Sequence, residues 1–481
     1  MELIIIGIYG LCLFFILLYS FVQLHLATIY LKKGKQQRQV DSLQNFPPVT
    51  IQLPLYNEKF VVERLIDAVA AIDYPSDKLE IQVLDDSTDE TSELVARKIK
   101  AYPELNIRHI QRENRTGFKA GALAYGLNQC KGEFIAIFDA DFLPKKDFLK
   151  NTVPHFNHER IGVVQTRWEH INKDYSLLTQ LQAFGLDAHF SVEQVGRNES
   201  GCFINFNGTA GVWRKSCIHD AGGWQSDTLT EDLDLSYRAQ LKGWNFIFLE
   251  EVGAPAELPV FVNALKGQQF RWTKGAAQCF RKNIGKVLRA PNLPVRTKIH
   301  AFFHLLNSSV FIAVLLLSLL SLPMVVIQEM LPEYNVLFNL SGVFMISFFI
   351  LAFFYWVASC RNHIHNISVW RYFKQFPLFL SISMGLALHN AIAVAEGLLG
   401  KKSPFVRTPK YNIQPKTDLS FNLGAYFVSK HPLTYVELLF AVYFCFALYY
   451  DITHAQYGFI PFHLMLAFGY LFIVLGAFRN K

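Results

Sequence analysis

The chain has 481 residues, 51% of them hydrophobic without counting Gly, including 43 Phe. That content excludes disorder and exceeds what a soluble domain reaches before Gly is added, yet 46 Lys+Arg and 39 Asp+Glu exclude burial of the whole chain in lipid. The net charge of +7 suits an anionic membrane face or a phosphate-bearing substrate, and is too diffuse to point to nucleic acid.

The first element is a membrane helix over Leu3–Val22, apolar for about the length of a hydrocarbon core. Met1-Glu2 precedes it, where a signal peptide would be basic. Lys32, Lys33, Lys35 and Arg38 follow it, so the positive-inside rule sets the N-terminus outside. Further apolar runs fall at Leu305–Ile327, Val336–Ala358, Leu433–Tyr450 and Phe459–Phe478. Ala301–Cys360 holds no Lys or Arg, and Glu329 and Glu333 mark an outside loop. Arg361, Arg371, Lys374, Lys401, Lys402, Arg407, Lys410, Lys416 and Lys430 mark inside loops, as do Arg479 and Lys481 at the tail. Asp451, the only formal charge between Tyr450 and Gly458, leaves that loop outside. The run Phe376–Leu399 carries His389, Asn390 and Glu396 and is inside at both flanks, which predicts a re-entrant or interface-lying helix rather than a crossing. Seven scattered cysteines, with no CxxC pair, argue against a zinc site or a disulfide framework.

Between the first span and the others lies a polar block, from about Phe46 to Ala290. Strands are expected at Val49–Leu53 (ending at Pro54), Ile81–Leu84, Ile107–Ile110 and Phe134–Phe138. Helices are expected at Phe60–Ile72, Thr91–Tyr102 and Lys119–Gln129. This alternation predicts a parallel sheet covered on both faces, whose ligands bind beyond the carboxyl ends of the strands. Two acidic groups, Asp85-Asp86 and Asp139-Ala140-Asp141, fall at that edge.

Two carboxylates one residue apart suit a hard divalent ion that shares its ligands with phosphates, and equally suit a solvated loop. Asp85-Asp86 alone is equally a turn or a cap. Arg112, Arg115 and Lys119 straddle Gly117 at a helix start, where basic groups cradle phosphate or simply face water. In Thr230-Glu231-Asp232 a carboxylate can act as general base or cap the next helix. Gln268-Gln269-Phe270-Arg271-Trp272 combines a planar donor fork with a flat apolar face.

The ordered series Asp85-Asp86, Asp139-Ala140-Asp141, Thr230-Glu231-Asp232 and Gln268-x-x-Arg271-Trp272 resembles the D, DxD, TED, QxxRW set of processive family 2 glycosyltransferases. The runs Val83–Asp89, Phe118–Leu123, Phe206–Arg214 and Asp220–Trp224 are similar to plant cellulose-synthase-like mannan and glucan synthases. The resemblance implies a Rossmann-like GT-A domain at residues 46–290 on the cytosolic side. It also implies a membrane helix at 1–30 and a membrane region at 301–481 with the helix near 376–399 and a gate-like loop at 401–410. The membrane would be a bacterial inner membrane or a Golgi membrane.

By the same resemblance, Asp85, Asp86, Lys119, Asp139 and Arg271 bind the nucleotide sugar, UDP-glucose or GDP-mannose. Asp139 and Asp141 hold Mg²⁺ or Mn²⁺. Asp232 is the catalytic base, and Gln268, Trp272 and Glu231 contact the acceptor, a glycan or a lipid. One base and no enzyme nucleophile imply inversion, giving a β-linked product, and the helices would form a conduit for it. A single-addition lipid glycosyltransferase is the second reading. A transporter or scaffold is the third, and it lacks the paired repeats and charged spans a transporter carries. The cyclic-di-GMP-sensing domain of bacterial cellulose synthases and the zinc region of plant ones are not expected here.

Overall fold

The computed structural model describes residues 2–34, 45–334, 336, 338, 342–364, 366–413 and 432–479. Lys35, Arg38, Lys416, Lys430 and Lys481, used above to assign sides, lie outside them. The chain opens with helix α1 (Glu2–Lys33). The polar block then runs β1 (Val49–Leu55), α2 (Val62–Ala70), β2 (Leu79–Asp85), α3 (Thr91–Ile99), β3 (Asn106–Gln111), α4 (Phe118–Leu127), β4 (Phe134–Ile137) and α5 (Phe148–Thr152). It continues with β5 (Ile161–His170), α6 (Leu177–Ala188), a π-helical turn (His189–Glu193), α7 (Gln194–Glu199), β6 (Gly211–Arg214), α8 (Lys215–Asp220), α9 (Glu231–Leu241), β7 (Asn245–Ala256) and α10 (Val262–Arg289).

The seven strands form one sheet in the order β3-β2-β1-β4-β6-β5-β7. The first four pair in parallel, as the βαβ alternation requires. The expectation of a wholly parallel sheet is corrected beyond them, because β6 runs antiparallel to both β4 and β5. The reversal has a consequence for the site. It brings the residues just before Gly211 to the edge where β4 ends, with Gly211 opposite Ile137. Strand β1 also continues through Pro54 to Leu55. Proline lacks the N–H a central strand needs, and the β4 pairing has already stopped at Gln52.

Alternate residues feed two cores, one per face. Phe134 and Ala136 join Val49, Ile51, Leu53 and Val83, whereas Ile135 and Ile137 join Leu123, Val163 and Trp213. The second core also takes Leu26 and Tyr30 of α1 and Phe354 and Val357 of a later apolar helix. The polar block is therefore packed against α1 and that later helix as one body.

After α10 come α11 (Val295–Leu305), α12 (Val310–Met330), α13 (Met345–Cys360), α14 (Val369–Gly385), α15 (Ala387–Leu399), α16 (Leu433–Thr453) and α17 (Ile460–Arg479). Among the described residues, five helical segments, built on α1, α12, α13, α16 and α17, are long and apolar enough to cross a membrane. The run expected as one helix over 376–399 is two helices, α14 and α15, bent by 53°. Each is tied to the polar block. Arg371 pairs with Asp174 at 3.8 Å near the start of α14, and Glu396 pairs with Lys274 at 2.7 Å near the end of α15.

Candidate active site

One cleft opens at the carboxyl edge of the sheet. It is lined by Asp86, Lys119, Asp139, Asp141, Glu231, Asp232, Gln268, Arg271 and Trp272. Nine of the residues singled out in the sequence thus converge from strand ends and from the three helices α4, α9 and α10. Asp85 does not line it. Its carboxylate accepts from the Ser87 N–H at 2.9 Å and the Ser92 hydroxyl at 2.6 Å, and it faces His109 at 2.9 Å. These donors outweigh burial and hold its carboxyl down at about 2. Asp85 thereby braces the loop that presents Asp86. Asp86 is gripped by Arg112, whose Nε donates to Oδ1 at 2.9 Å, and Arg115 stacks over the Tyr56 ring at 3.3 Å.

Lys119 lies in the first turn of α4, entered through Gly117 in the left-handed region at φ +75. Its ammonium donates to Asp139 Oδ1 at 2.5 Å and to the Gly208 carbonyl at 2.9 Å. Burial works against that charge, but Asp139, Glu231 and Asp232 more than offset it and raise the lysine above its ordinary value. The Asp139 N–H donates to Thr209 Oγ1 at 2.9 Å, so the loop carried by the reversed strand β6 supports the carboxylate pair. Asp141 receives Lys410 at 2.6 Å.

Glu231 and Asp232 open α9, beyond Thr230. Helix α9 starts against α10 at Gly275, where a Cβ would come within 2.5 Å of Thr230. Only Gly allows this approach, which brings the base candidate and the Gln268–Trp272 motif to one cleft. Burial, and then the adjacent Glu231, push the Asp232 carboxyl well above the usual carboxylate range, while Lys119 opposes the shift. Glu231 is raised as well, chiefly by burial. Trp272 faces Trp168, with ring centroids 6.4 Å apart.

Several lining residues carry no local sequence signal. Trp168, His170 and Glu257 come from β5 and the end of β7, while Asn207, from the loop before β6, lies in the run Phe206–Arg214 quoted above without a role of its own. Glu58 pairs with Arg407 at 2.9 Å, and burial raises its carboxyl to about 8 against the pull of Arg407. The gate-like segment supplies Phe405, Arg407, Thr408 and Lys410 to the cleft. Arg271 donates to Thr408 at 2.7 Å and lies 4.6 Å from the Phe405 ring centroid. Among the described residues, no group of three or more His, Cys, Asp or Glu is placed to hold a metal. Asp139 and Asp141 offer two hard oxygen donors, and each already draws an ammonium. That donor set fits a hard divalent ion which takes its remaining ligands from water and a diphosphate.

Comparison with known proteins agrees with this geometry. The family described as "Glycosyltransferase like family 2" matches residues 47–275. The chain is 43% identical over 300 residues to a probable glucomannan 4-beta-mannosyltransferase 4 of Oryza sativa subsp. japonica, over 60% of this chain and 54% of that one. It is 34% identical over 449 residues to a probable glucomannan 4-beta-mannosyltransferase 3 of the same plant, over 90% and 78%. It spans 54%, 64% and 51% of the first three curated relatives it matches. Among solved structures, mannosyltransferase PcManGT from Pyrobaculum calidifontis, in complex with GDP-Man and Mn2+, aligns with a TM-score of 0.58 at 20% identity, covering 83% of this chain and all of that one. That likeness identifies the fold of the polar block as GT-A. By sequence and by fold, the chain belongs to glycosyltransferase family 2, with the cellulose-synthase-like proteins as its relatives.

Proposed function

We propose that the chain is a membrane-embedded, inverting glycosyltransferase that polymerises a β-linked glycan of the β-1,4-mannan or glucan type from GDP-mannose or UDP-glucose. The observation that carries this is the convergence of Asp139, Asp141, Lys119, Asp232, Arg271 and Trp272 on one cleft. The names of the curated relatives favour mannose.

In this reading Asp86, fixed by Arg112, takes the nucleoside end beside Tyr56 and Arg115. Asp139 and Asp141 would hold Mg²⁺ or Mn²⁺ on the diphosphate side. Such an ion, when bound, supplies positive charge against the departing diphosphate. Lys119 and Arg271 add fixed positive charge there. Asp232 accepts the proton of the acceptor hydroxyl as that oxygen attacks the sugar from the face opposite the diphosphate. Attack from that face inverts the centre, so an α-linked donor gives a β-linked product. Glu231 lies beside the base, and Gln268 and Trp272 form the acceptor end. Trp272 and Trp168 present the flat apolar faces that suit a sugar ring. Lys410 sits on Asp141, so the segment 401–410 would act as a gate over the carboxylate pair. The ties at Arg371 and Glu396 support α14–α15 lying at the inner face, with α1 entering from outside and the bundle passing the polymer onward.

Membranes carrying the chain, given labelled GDP-mannose or UDP-glucose, are expected to form a high-molecular-weight product cut by a β-mannanase or β-glucanase. A mono-glycosylated lipid as sole product would replace polymerisation by single addition. Chelation with EDTA is expected to stop incorporation, and added Mn²⁺ or Mg²⁺ to restore it. Full incorporation in EDTA would remove the cation from the reading.

A further inference from the structure

The π-helical turn His189–Glu193 is an uncommon element, of a kind frequent at functional sites. Its side chains lead to the cleft wall. Glu193 is buried and accepts from Gln23 at 3.0 Å and from Arg197 at 3.2 Å. Burial opposes its charge, but Arg197 and His189 hold its carboxyl well below the usual range. An ionised carboxylate only accepts, so His189 Nδ1, 2.9 Å away, must carry the proton. Asn207 Nδ2 lies 3.0 Å from His189 Nε2; because Gln194 Nε2, held on the Asn205 carbonyl, faces Asn207 Oδ1, the Asn207 amide is the donor there and Nε2 the acceptor. Gln194 Nε2 donates to Asn207 Oδ1 at 2.7 Å, and the Asn207 N–H donates to Gln165 at 2.9 Å. The orientation of the Asn207 amide is thus fixed from behind. One amide N–H and one oxygen lone pair remain, on a residue that lines the cleft.

The place of Asn207 decides what those groups meet. The next residue, Gly208, accepts from Lys119, which is bound to Asp139 on the diphosphate side. A Cβ on Gly208 would sit 3.0 Å from Asp232 Oδ2, on the acceptor side. The sugar in transit must bridge those two sides, so Asn207 borders the space it occupies. We propose that Asn207 recognises a hydroxyl of the hexosyl group being transferred, and that the Glu193–His189 pair positions it to do so. This inference rests on the nucleotide-sugar reading above. It assigns donor-sugar choice to a residue held from the α1 side of the molecule, through Gln23 and Glu193.

The test uses the full chain in membranes, with GDP-mannose and GDP-glucose as competing donors and GDP affinity measured separately. The two donors share the nucleotide and differ only at the C2 hydroxyl. Asn207→Ala is expected to lower kcat/KM for the better donor at least about tenfold, the loss of a hydrogen bond to substrate. The donor ratio should shift while GDP affinity stays within about twofold. His189→Ala is expected to shift the ratio in the same direction by less. His189→Gln, whose amide oxygen can accept from Asn207, should recover part of the loss. Asn207→Asp keeps the shape and the acceptor facing Gln194 but lacks the donor, so it should fold and show the same shift. An active wild type whose Asn207→Asp variant keeps both turnover and donor ratio overturns this inference alone. A wild type inert toward both GDP-sugars but active with UDP-glucose overturns the choice of donor nucleotide. In that case a UDP-glucose kcat/KM unchanged by Asn207→Asp overturns the inference, and a tenfold loss supports it.

Discussion

Asp232→Asn is expected to reduce sugar transfer about 10²–10⁴-fold, the range general-base catalysis supplies, with nucleotide affinity nearly unchanged. The amide keeps the shape and removes the only feature the step needs, a basic oxygen at the start of α9. The surroundings sharpen the expectation. Burial and Glu231 raise the Asp232 carboxyl toward neutral pH, while Lys119 restrains the shift. A base must be deprotonated to act, so the wild-type rate should rise with pH through that raised value and level off above it. The Asn variant should lose this acid limb. The same shift has the opposite sign for stability: the folded state favours the protonated acid, so this site stabilises the fold at low pH and less as pH rises. Initial rates across pH, alongside GDP titrations, read both effects. Unchanged turnover in the Asn variant would rule out Asp232 as the base.

The second large effect is expected far from the chemistry. Lys266 on α10 and Glu437 on α16 form a 2.7 Å ion pair with both side chains almost fully buried. Removing one partner strands a charge inside an apolar bundle, at a cost of about 3–5 kcal/mol. Glu437→Ala or Lys266→Ala should therefore lower the thermal midpoint of the extracted protein sharply. Lys266→Met combined with Glu437→Leu removes both charges and should recover most of the loss. The pair also bears on the site. Lys266 lies two residues before Gln268, and its carbonyl is 3.0 Å from His389 Nε2 on α15. The single variants are expected to lose transfer activity as α10 loosens. Single variants as stable as the wild type would show that the pair contributes nothing.

The sequence by itself carried the elements whose signal is local. The apolar runs are long enough to be membrane helices without reference to their neighbours. The first four strands follow from alternation with helices, and their acidic ends fall at the carboxyl edge because parallel strands all end there. Asp86, Asp139, Asp141, Asp232 and Arg271 were legible for that reason and because their order resembles a known set. Only the tertiary structure decided the rest. The reversal of β6 has no local mark, yet it delivers Asn207, Gly208 and Thr209 to the site. Asp85 and Asp86 are neighbours in sequence, and the strand pleat turns one behind the sheet edge and the other into the cleft. Glu58, Trp168 and Lys410 become site residues through pairings across more than 100 positions with Arg407, Trp272 and Asp141. Periodicity and spacing report what a segment does with its own neighbours; which distant segments share a cleft is settled by packing.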